Sequence, residues 1–129
     1  MKTTKVITPY FENGAFAGAR VCVGDEDFII APEDYLDGKE LPWQAAMDAL
    51  KADNLATWNY RQICLTMAYR KEIDKALKDN GGDGLDTWYW TSAEVSDLYS
   101  FYYYGYNGAL DFYYKVDACS VRPIRNFKD

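Results

Sequence analysis

Residues 88–127, "WYWTSAEVSDLYSFYYYGYNGALDFYYKVDACSVRPIRNF", form the stretch that decides the fold. Four runs within it have the alternation and the aromatic or β-branched content of β-strands. These runs are residues 88–92, 99–106, 109–115 and 119–125. Asn107-Gly108 lies between the second and third runs, and this dipeptide is a strong signal for a tight hairpin turn. The stretch therefore predicts an antiparallel sheet with a central hairpin.

The same stretch is unusually rich in tyrosine, with seven tyrosines within sixteen residues. Strand alternation places Phe101 and Tyr103 on the inner side of the second run. It places on the outer side Tyr102, Tyr104 and Tyr106. Tyrosine combines a large contact area, few rotatable bonds and a hydroxyl, which suits a binding surface. High strand propensity alone explains two or three of these tyrosines, so the pattern favours ligand or partner binding.

Upstream of this stretch the chain gives both strand and helix signals. Residues 4–31 predict short strands separated by turns at "ENG" and "GDED". A first helix is predicted to begin near Pro42. A second helix is predicted over residues 67–80, with Thr66 as its N-cap. Residues 58–66 predict a loop followed by a buried strand. The order of strands, two helices and strands predicts an α+β fold, with two helices and small antiparallel sheets.

Length and composition narrow the classes of function. With 129 residues the chain has the length of one domain, so residues 1–129 are expected to form a single unit. The chain has a net charge of −6. Nucleic acid and anionic membranes are also negatively charged, so the net charge argues against both as partners. No apolar run approaches the ~20 residues of a membrane span, and the N-terminal residues lack the apolar core of a secretory signal. We expect no nucleic-acid partner, no membrane insertion, and a cytoplasmic location or a place in an assembled particle.

The residue types that most often carry catalysis are scarce. The chain has no histidine, and its cysteines, Cys22, Cys64 and Cys119, are far apart. We expect them to be reduced, buried thiols. The acidic clusters at 25–27 and 33–34 fall in polar turns, where carboxylates are usually solvated. No nucleophile elbow, phosphate loop or nucleotide fingerprint occurs. The sequence therefore predicts no catalytic residue, no metal site and no cofactor.

Residues 89–127 resemble a known family. The likeness rests on "YWTSAE" at 89–94, Asn107-Gly108, Lys115 and "VRPIRNF" at 121–127. The family motif typically reads YWSSTE, then a variable stretch with an NG turn, then VRPVRAF, and the spacing agrees without a gap. This motif resembles the C-terminal signature of bacterial and phage C-type-lectin-fold domains. They include the C-terminal domains of collagen-like adhesins and the variable proteins of diversity-generating retroelements. The resemblance implies a C-type lectin fold.

The resemblance also implies roles for individual residues. The expected scaffold residues, which should lie in the core, are Tyr89, Trp90, Phe101, Leu110, Val121 and Ile124. Arg122 and Arg125 are expected to satisfy backbone carbonyls or acidic side chains rather than a ligand. Lectins of this fold that bind sugar through calcium use EPN- or QPD-type and WND motifs. None of these motifs occurs here, so calcium-dependent sugar binding is not expected.

The amino-acid composition of the tyrosine-rich segment gives a second argument for this resemblance. In such retroelement proteins template adenines are randomised, so an AAC codon yields many residues but never Lys, Glu, Gln, Met or Trp. Residues 95–119 contain one member of that excluded set, Lys115, among 25, whereas residues 33–79 contain 14 among 47. This bias predicts that the variable positions lie in residues 95–119. Those that match asparagine-rich family positions are Asp97, Leu98, Tyr99, Tyr104, Asp111, Phe112, Tyr113, Tyr114, Val116 and Asp117.

The predicted ligand-binding face combines these positions with the outward tyrosines. Its members are Val95, Asp97, Leu98, Tyr99, Tyr102, Tyr104, Tyr106, Asp111, Phe112, Tyr113, Tyr114, Val116 and Asp117. We expect a non-catalytic, receptor-recognition protein that binds a protein or glycan on a target surface. Two alternatives remain open. The tyrosine face could be an assembly contact of a structural subunit or homo-oligomer, or the chain could be an enzyme similar to the formylglycine-generating group.

Overall fold

The structure, a computed structural model, describes residues 5–127; Thr4, where the predicted strand region begins, and the remaining terminal residues of the predicted domain lie outside it. The strands are β1 (Lys5–Glu12), β2 (Ala15–Val23), β3 (Glu26–Ile30), β4 (Leu41–Pro42), β5 (Trp88–Glu94), β6 (Tyr99–Tyr104), β7 (Ala109–Tyr114), β8 (Ala118–Cys119) and β9 (Ile124–Asn126). The helices are α1 (Trp43–Ala52), α2 (Tyr60–Ala68) and α3 (Arg70–Lys78). The fold is therefore α+β, as predicted.

The first sheet joins the two ends of the described chain. Its strand order is β1-β2-β3-β9, and every neighbouring pair is antiparallel. Asn13 and Gly14 connect β1 to β2 with φ values of 52° and 82°. Two left-handed residues give the turn geometry that matches the twist of a hairpin. The predicted strands within residues 5–31 and the turn at "ENG" are confirmed.

The helical region differs from the prediction of two helices. Residues 60–68 form α2 rather than a buried strand, and only Tyr69 separates this helix from α3. The N-cap of α2 is Asn59, whose Oδ1 accepts the Gln62 N–H at 2.8 Å while Gln62 Oε1 accepts the Asn59 N–H at 2.9 Å. Thr66 is thus not an N-cap: it is buried within α2 and accepts the Trp58 indole N–H. None of the helices within residues 5–127 is long and apolar enough to span a membrane.

The buried residues form two clusters on opposite sides of the sheet that contains β5, β6 and β7. The larger cluster lies among β2, β3, α2 and α3, and includes Trp58, Tyr89 and Tyr103. The smaller cluster lies beneath α1, where Trp43 and Trp90 pack with Leu50, Cys119 and Val121. The sheet is therefore covered on both faces, but only in part.

Arg122 joins segments that are far apart in the sequence. Its side chain is fully buried and donates hydrogen bonds to the carbonyls of Ala31, Asp83 and Gly84 at 2.8–2.9 Å. It also pairs with Asp34 at 2.9 Å. Arg125 lies near the surface and pairs with Glu12. The predicted structural roles of both arginines are confirmed.

The second sheet has the order β5-β6-β7 and contains the predicted hairpin. Its turn is four residues long, Gly105 to Gly108. Gly105 is required because a Cβ there would lie 1.8 Å from the Leu85 carbonyl oxygen. Most expected scaffold residues are buried: Tyr89, Trp90, Val121 and Ile124. Leu110 is half-buried and packs against the larger cluster. Phe101 is half-buried and packs against neither cluster, so its prediction as a core residue is wrong, because the hairpin extends beyond the edge of the larger cluster.

Candidate binding surface

The β6–β7 hairpin presents aromatic side chains on both of its faces. Tyr103 is fully buried, whereas Tyr102 and Tyr104 are half-buried and Tyr106 is 75% exposed, which confirms the predicted alternation. In the register of β6 with β7, Tyr103 faces Leu110 and Tyr102 faces Asp111. Side chains on one strand therefore alternate between the two clusters below and above the sheet.

One group of rings, which we call the tryptophan surface, lies on the face that carries α1. It consists of Trp88, Tyr102, Tyr104, Tyr106 and Tyr113. The Trp88 and Tyr104 rings stack with centroids 4.2 Å apart and planes 19° apart, and Tyr106 extends the stack at 5.9 Å. Tyr102 lies 5.1 Å from Trp88 and 5.5 Å from Tyr113. The contacts form one continuous platform rather than isolated exposed rings.

The polar atoms of this platform are not used by the fold. Within residues 5–127, the hydroxyls of the four tyrosines of the tryptophan surface make no hydrogen bond to the protein. The other three tryptophans donate their indole N–H to Thr91 O, Thr66 Oγ1 and Leu41 O at 2.7–3.0 Å. The Trp88 indole N–H has no such acceptor among the described residues. These donors can therefore bind a ligand without breaking a contact of the scaffold.

A second group of rings, the phenylalanine surface, lies on the opposite face and at the opposite end of the hairpin. It consists of Tyr60, Tyr99, Phe101, Phe112 and Tyr114. Phe112 is 53% exposed, and its ring lies 5.3 Å from Tyr99. Tyr60, the first residue of α2, covers part of Phe101 at 5.5 Å. This contact explains why Phe101 is half-buried.

The remaining predicted site residues lie in two neighbouring loops. Val95, Asp97 and Leu98 connect β5 to β6, and Val116 and Asp117 follow β7. The Lys115 N–H donates to the Leu98 carbonyl at 2.9 Å and so holds the loops together. The Lys115 side chain is committed elsewhere, since it pairs with Glu94 at 2.6 Å and its Nζ lies 4.4 Å from the Trp43 ring centroid. Val116 is 83% exposed.

The thirteen predicted residues are thus divided among three places rather than forming one face. Tyr102, Tyr104, Tyr106 and Tyr113 belong to the tryptophan surface, with Asp111 on the same face opposite Tyr102. Tyr99, Phe112 and Tyr114 belong to the phenylalanine surface. The other five lie in the two loops. Sequence reasoning missed Trp88, Tyr60 and Glu40, which lies beside Trp88. The sequence does contain a signal for Trp88. It lies two residues before Trp90, and residues two apart in a strand lie on the same face.

Acidic groups surround the tryptophan surface. Burial, and then the nearby Asp111 carboxylate, raise the pKa of Tyr102. Burial raises the pKa of the Cys119 thiol to about 12, and the carboxylates of Glu40 and Asp117 act in the same direction. On the phenylalanine surface, a hydrogen bond with Tyr114 raises the pKa of Tyr99. The hydroxyls of Tyr102 and Tyr99 therefore stay protonated, and able to donate, at neutral pH.

The cysteines do not form a common site. Cys22 lies in β2, Cys64 in α2 and Cys119 in β8. Cys119 is buried as predicted, but Cys22 is only half-buried and Cys64 is exposed, so the prediction of three buried thiols is wrong for these two. Among residues 5–127 no group of three or more cysteine, aspartate or glutamate side chains is arranged to hold a metal ion.

Comparison with known proteins gives no match, neither to a protein-family model nor to a curated protein.

Proposed function

We propose that the chain is a non-catalytic ligand-binding protein that recognises a protein or glycan on a target surface. The observation that carries the proposal is the tryptophan surface, where five aromatic rings in mutual contact leave their hydroxyl and indole donors unused within the described residues. Aromatic rings give large contact area at a small cost in side-chain entropy, and free hydroxyls add directional hydrogen bonds. The cytoplasm or a phage particle is the proposed location.

The proposal includes a C-type lectin fold and diversification by a retroelement. The segment that resembles the family signature, "VRPIRNF", supplies the buried residues Val121, Arg122 and Ile124, as a scaffold motif should. The ten positions in residues 95–119 that match asparagine-rich family positions are all exposed or half-buried. Side chains in such places can change at little cost to stability. This distribution supports a split between a fixed scaffold and variable side chains.

Serine substitutions on the tryptophan surface test the binding proposal. Replacing Tyr102, Tyr104, Tyr106 and Tyr113 with serine should abolish binding to a ligand identified on an array of glycans and surface proteins. Circular dichroism and thermal unfolding of the variant check that the fold survives. The matched control replaces four residues of the phenylalanine surface, Tyr60, Tyr99, Phe112 and Tyr114. Unchanged ligand binding by the folded tryptophan-surface variant would show that another surface binds.

The gene itself tests the retroelement part of the proposal. Its neighbourhood should contain a reverse transcriptase gene and a near-identical template copy of the segment that encodes residues 95–119. The two copies should differ only at template adenines. A neighbourhood without a template would leave an adhesin-type domain that does not diversify in this way.

The phenylalanine surface favours a second candidate function, an assembly contact. Rings that are half exposed on the face opposite the tryptophan surface are typical of surfaces that associate with another protein. The control variant described above, measured by sedimentation, tests this idea. A lower oligomeric state than that of the unsubstituted chain would support a structural role for the phenylalanine surface, and an unchanged state would exclude it.

A further inference from the structure

A small depression lies at the edge of the tryptophan surface and has an unusual lining. We call it the Trp88 pocket, and it is lined by Glu40, Trp88, Tyr113, Ala118 and Cys119. Its volume is about 170 Å³, below the ~300 Å³ at which drug-sized ligands are usually accommodated. The pocket therefore suits one side chain of a larger ligand rather than a whole small molecule.

The backbone around the pocket fixes its walls. Cys119 pairs with Leu41 in the β4–β8 ladder, which places Glu40 directly before a paired residue. The Ser120 N–H donates to the Trp88 carbonyl at 2.9 Å and ties the chain after β8 to the start of β5. Tyr113 is held from the other side, since its ring contacts Tyr102 at 5.5 Å. Four of the five lining residues therefore lie in strands, and Glu40 directly precedes one.

The charges at the pocket are all of one sign. Glu40 lines the Trp88 pocket, and no lysine or arginine does. The negative charges of Glu40 and Asp117 both raise the pKa of the buried Cys119 thiol, after the larger effect of burial. Four other depressions on the molecule each include an arginine or a lysine, and three of them are larger, at about 260, 420 and 440 Å³. Among these five depressions of the described residues, the Trp88 pocket alone combines aromatic walls with a carboxylate and no lysine or arginine.

We infer that the Trp88 pocket receives one lysine or arginine side chain of a protein ligand. The faces of Trp88 and Tyr113 attract a cation through the ring quadrupole, and Trp gives the strongest attraction of this kind. Glu40 supplies the opposite charge and a hydrogen-bond acceptor for the ammonium or guanidinium group. The net charge of −6 favours the approach of such a basic partner. This inference rests on the proposed function and narrows its ligand from protein or glycan to a basic protein.

Titration with small probes tests the inference without an identified ligand. We would add N-acetyl-lysine methylamide and N-acetyl-arginine methylamide to the ¹⁵N-labelled protein and follow the Trp88 indole resonance. The neutral probe is N-acetyl-norleucine methylamide, which keeps the aliphatic chain of lysine but lacks its charge, and cellobiose is the glycan probe. We expect the two cationic probes to shift the Trp88 resonance and to bind at least about threefold more tightly than norleucine. Equal binding of norleucine, or a response to cellobiose alone, would overturn the inference.

Substitution of Glu40 tests the role of its carboxylate separately from the role of the aromatic rings. Glu40→Gln keeps the size of the side chain but should lower the affinity for the lysine probe by about threefold or more. Glu33→Gln, an exposed glutamate outside the pocket, is the matched control and should change nothing. Equal affinities of the two variants would contradict the inference.

The outcomes also separate this inference from the proposed function. Loss of an identified ligand on serine substitution of the tryptophan surface, together with no response to the cationic probes, would reject the cation pocket alone. Retention of that ligand by the same folded variant would instead show that another surface binds, and so would remove the tryptophan surface, the observation that carries the proposed function.

Discussion

Tyr89 and Tyr103 show how two similar buried residues differ in what they contribute. They are register partners on neighbouring strands, and both pack against the Trp58 ring with centroids 5.9 Å away. The Tyr89 hydroxyl donates to Asp34 at 2.9 Å. The Tyr103 hydroxyl is buried and has no hydrogen-bond partner within residues 5–127. Burial raises the pKa of Tyr103 to about 12. Tyr103 thus brings a ring to the core and a polar atom that the core does not use.

The two phenylalanine substitutions should therefore have opposite effects. Tyr103→Phe removes an unsatisfied hydroxyl and should leave the free energy of unfolding unchanged or raise it by about 1 kcal/mol. Tyr89→Phe removes a hydrogen bond to a carboxylate and should lower it by about 1–3 kcal/mol. Urea unfolding of both variants and of the unsubstituted chain measures the difference. A larger loss for Tyr103→Phe than for Tyr89→Phe would contradict this account.

At the scale of single elements, the strands were more predictable than the helices. The β6–β7 hairpin follows from an alternating pattern and an Asn-Gly turn, both of which are local signals. The α2 segment, residues 60–68, lacks a clear apolar stripe, and its aromatic and β-branched residues favour a strand. Its capping box at Asn59 and Gln62 was the one local signal for a helix. Packing of Ile63 and Thr66 into the core decides the conformation, and a local pattern does not contain that packing.

Strand β7 is the outer strand of its sheet, and one side chain protects it. The Asp111 carboxylate accepts the Phe112 N–H at 2.8 Å. An outer strand with free N–H groups is a template for pairing with another chain, and a local carboxylate blocks such pairing. β7 carries no proline and no lysine, which are two common protections of an edge.

Removal of this carboxylate should increase self-association. Asp111→Ala leaves the Phe112 N–H free, and we expect a concentration-dependent shift to larger species in sedimentation velocity. Asp97→Ala, which removes an exposed aspartate from a loop, controls for the loss of one negative charge. If both variants sediment as the unsubstituted chain does, Asp111 has no protective role.

At the scale of the whole molecule, Arg122 holds together the loop after β3, the loop before β5 and the segment after β8. Its guanidinium serves three carbonyls and one carboxylate. The resemblance of "VRPIRNF" to the family motif implied that this arginine is structural, but its partners come from residues 31–34 and 83–84. The partners of Arg122 depend on where the core ends. The division of the tyrosines between two surfaces depends on it as well. The sequence of one strand does not contain that information, because it shows alternation but not which part of each face is covered.

Loss of Arg122 should destabilise the whole fold. Arg122→Met leaves Asp34 and three carbonyls without this partner, and we expect the free energy of unfolding to fall by about 3–5 kcal/mol. Arg125→Met breaks an exposed ion pair with Glu12 and should cost about 1 kcal/mol or less. Urea unfolding compares the two variants. Equal losses would mean that the bonds of Arg122 do not stabilise the fold more than a surface pair does.

The stack of Trp88 on Tyr104 has a consequence for the kinetics of recognition. Each ring restricts the rotation of the other before any ligand arrives, so the surface is already ordered in the free protein. A partner then meets the final arrangement on its first productive collision, and no slow rearrangement follows the encounter. Association rates should consequently be similar for different partners of the same charge. Differences in affinity among them should lie in the residence time of the complex.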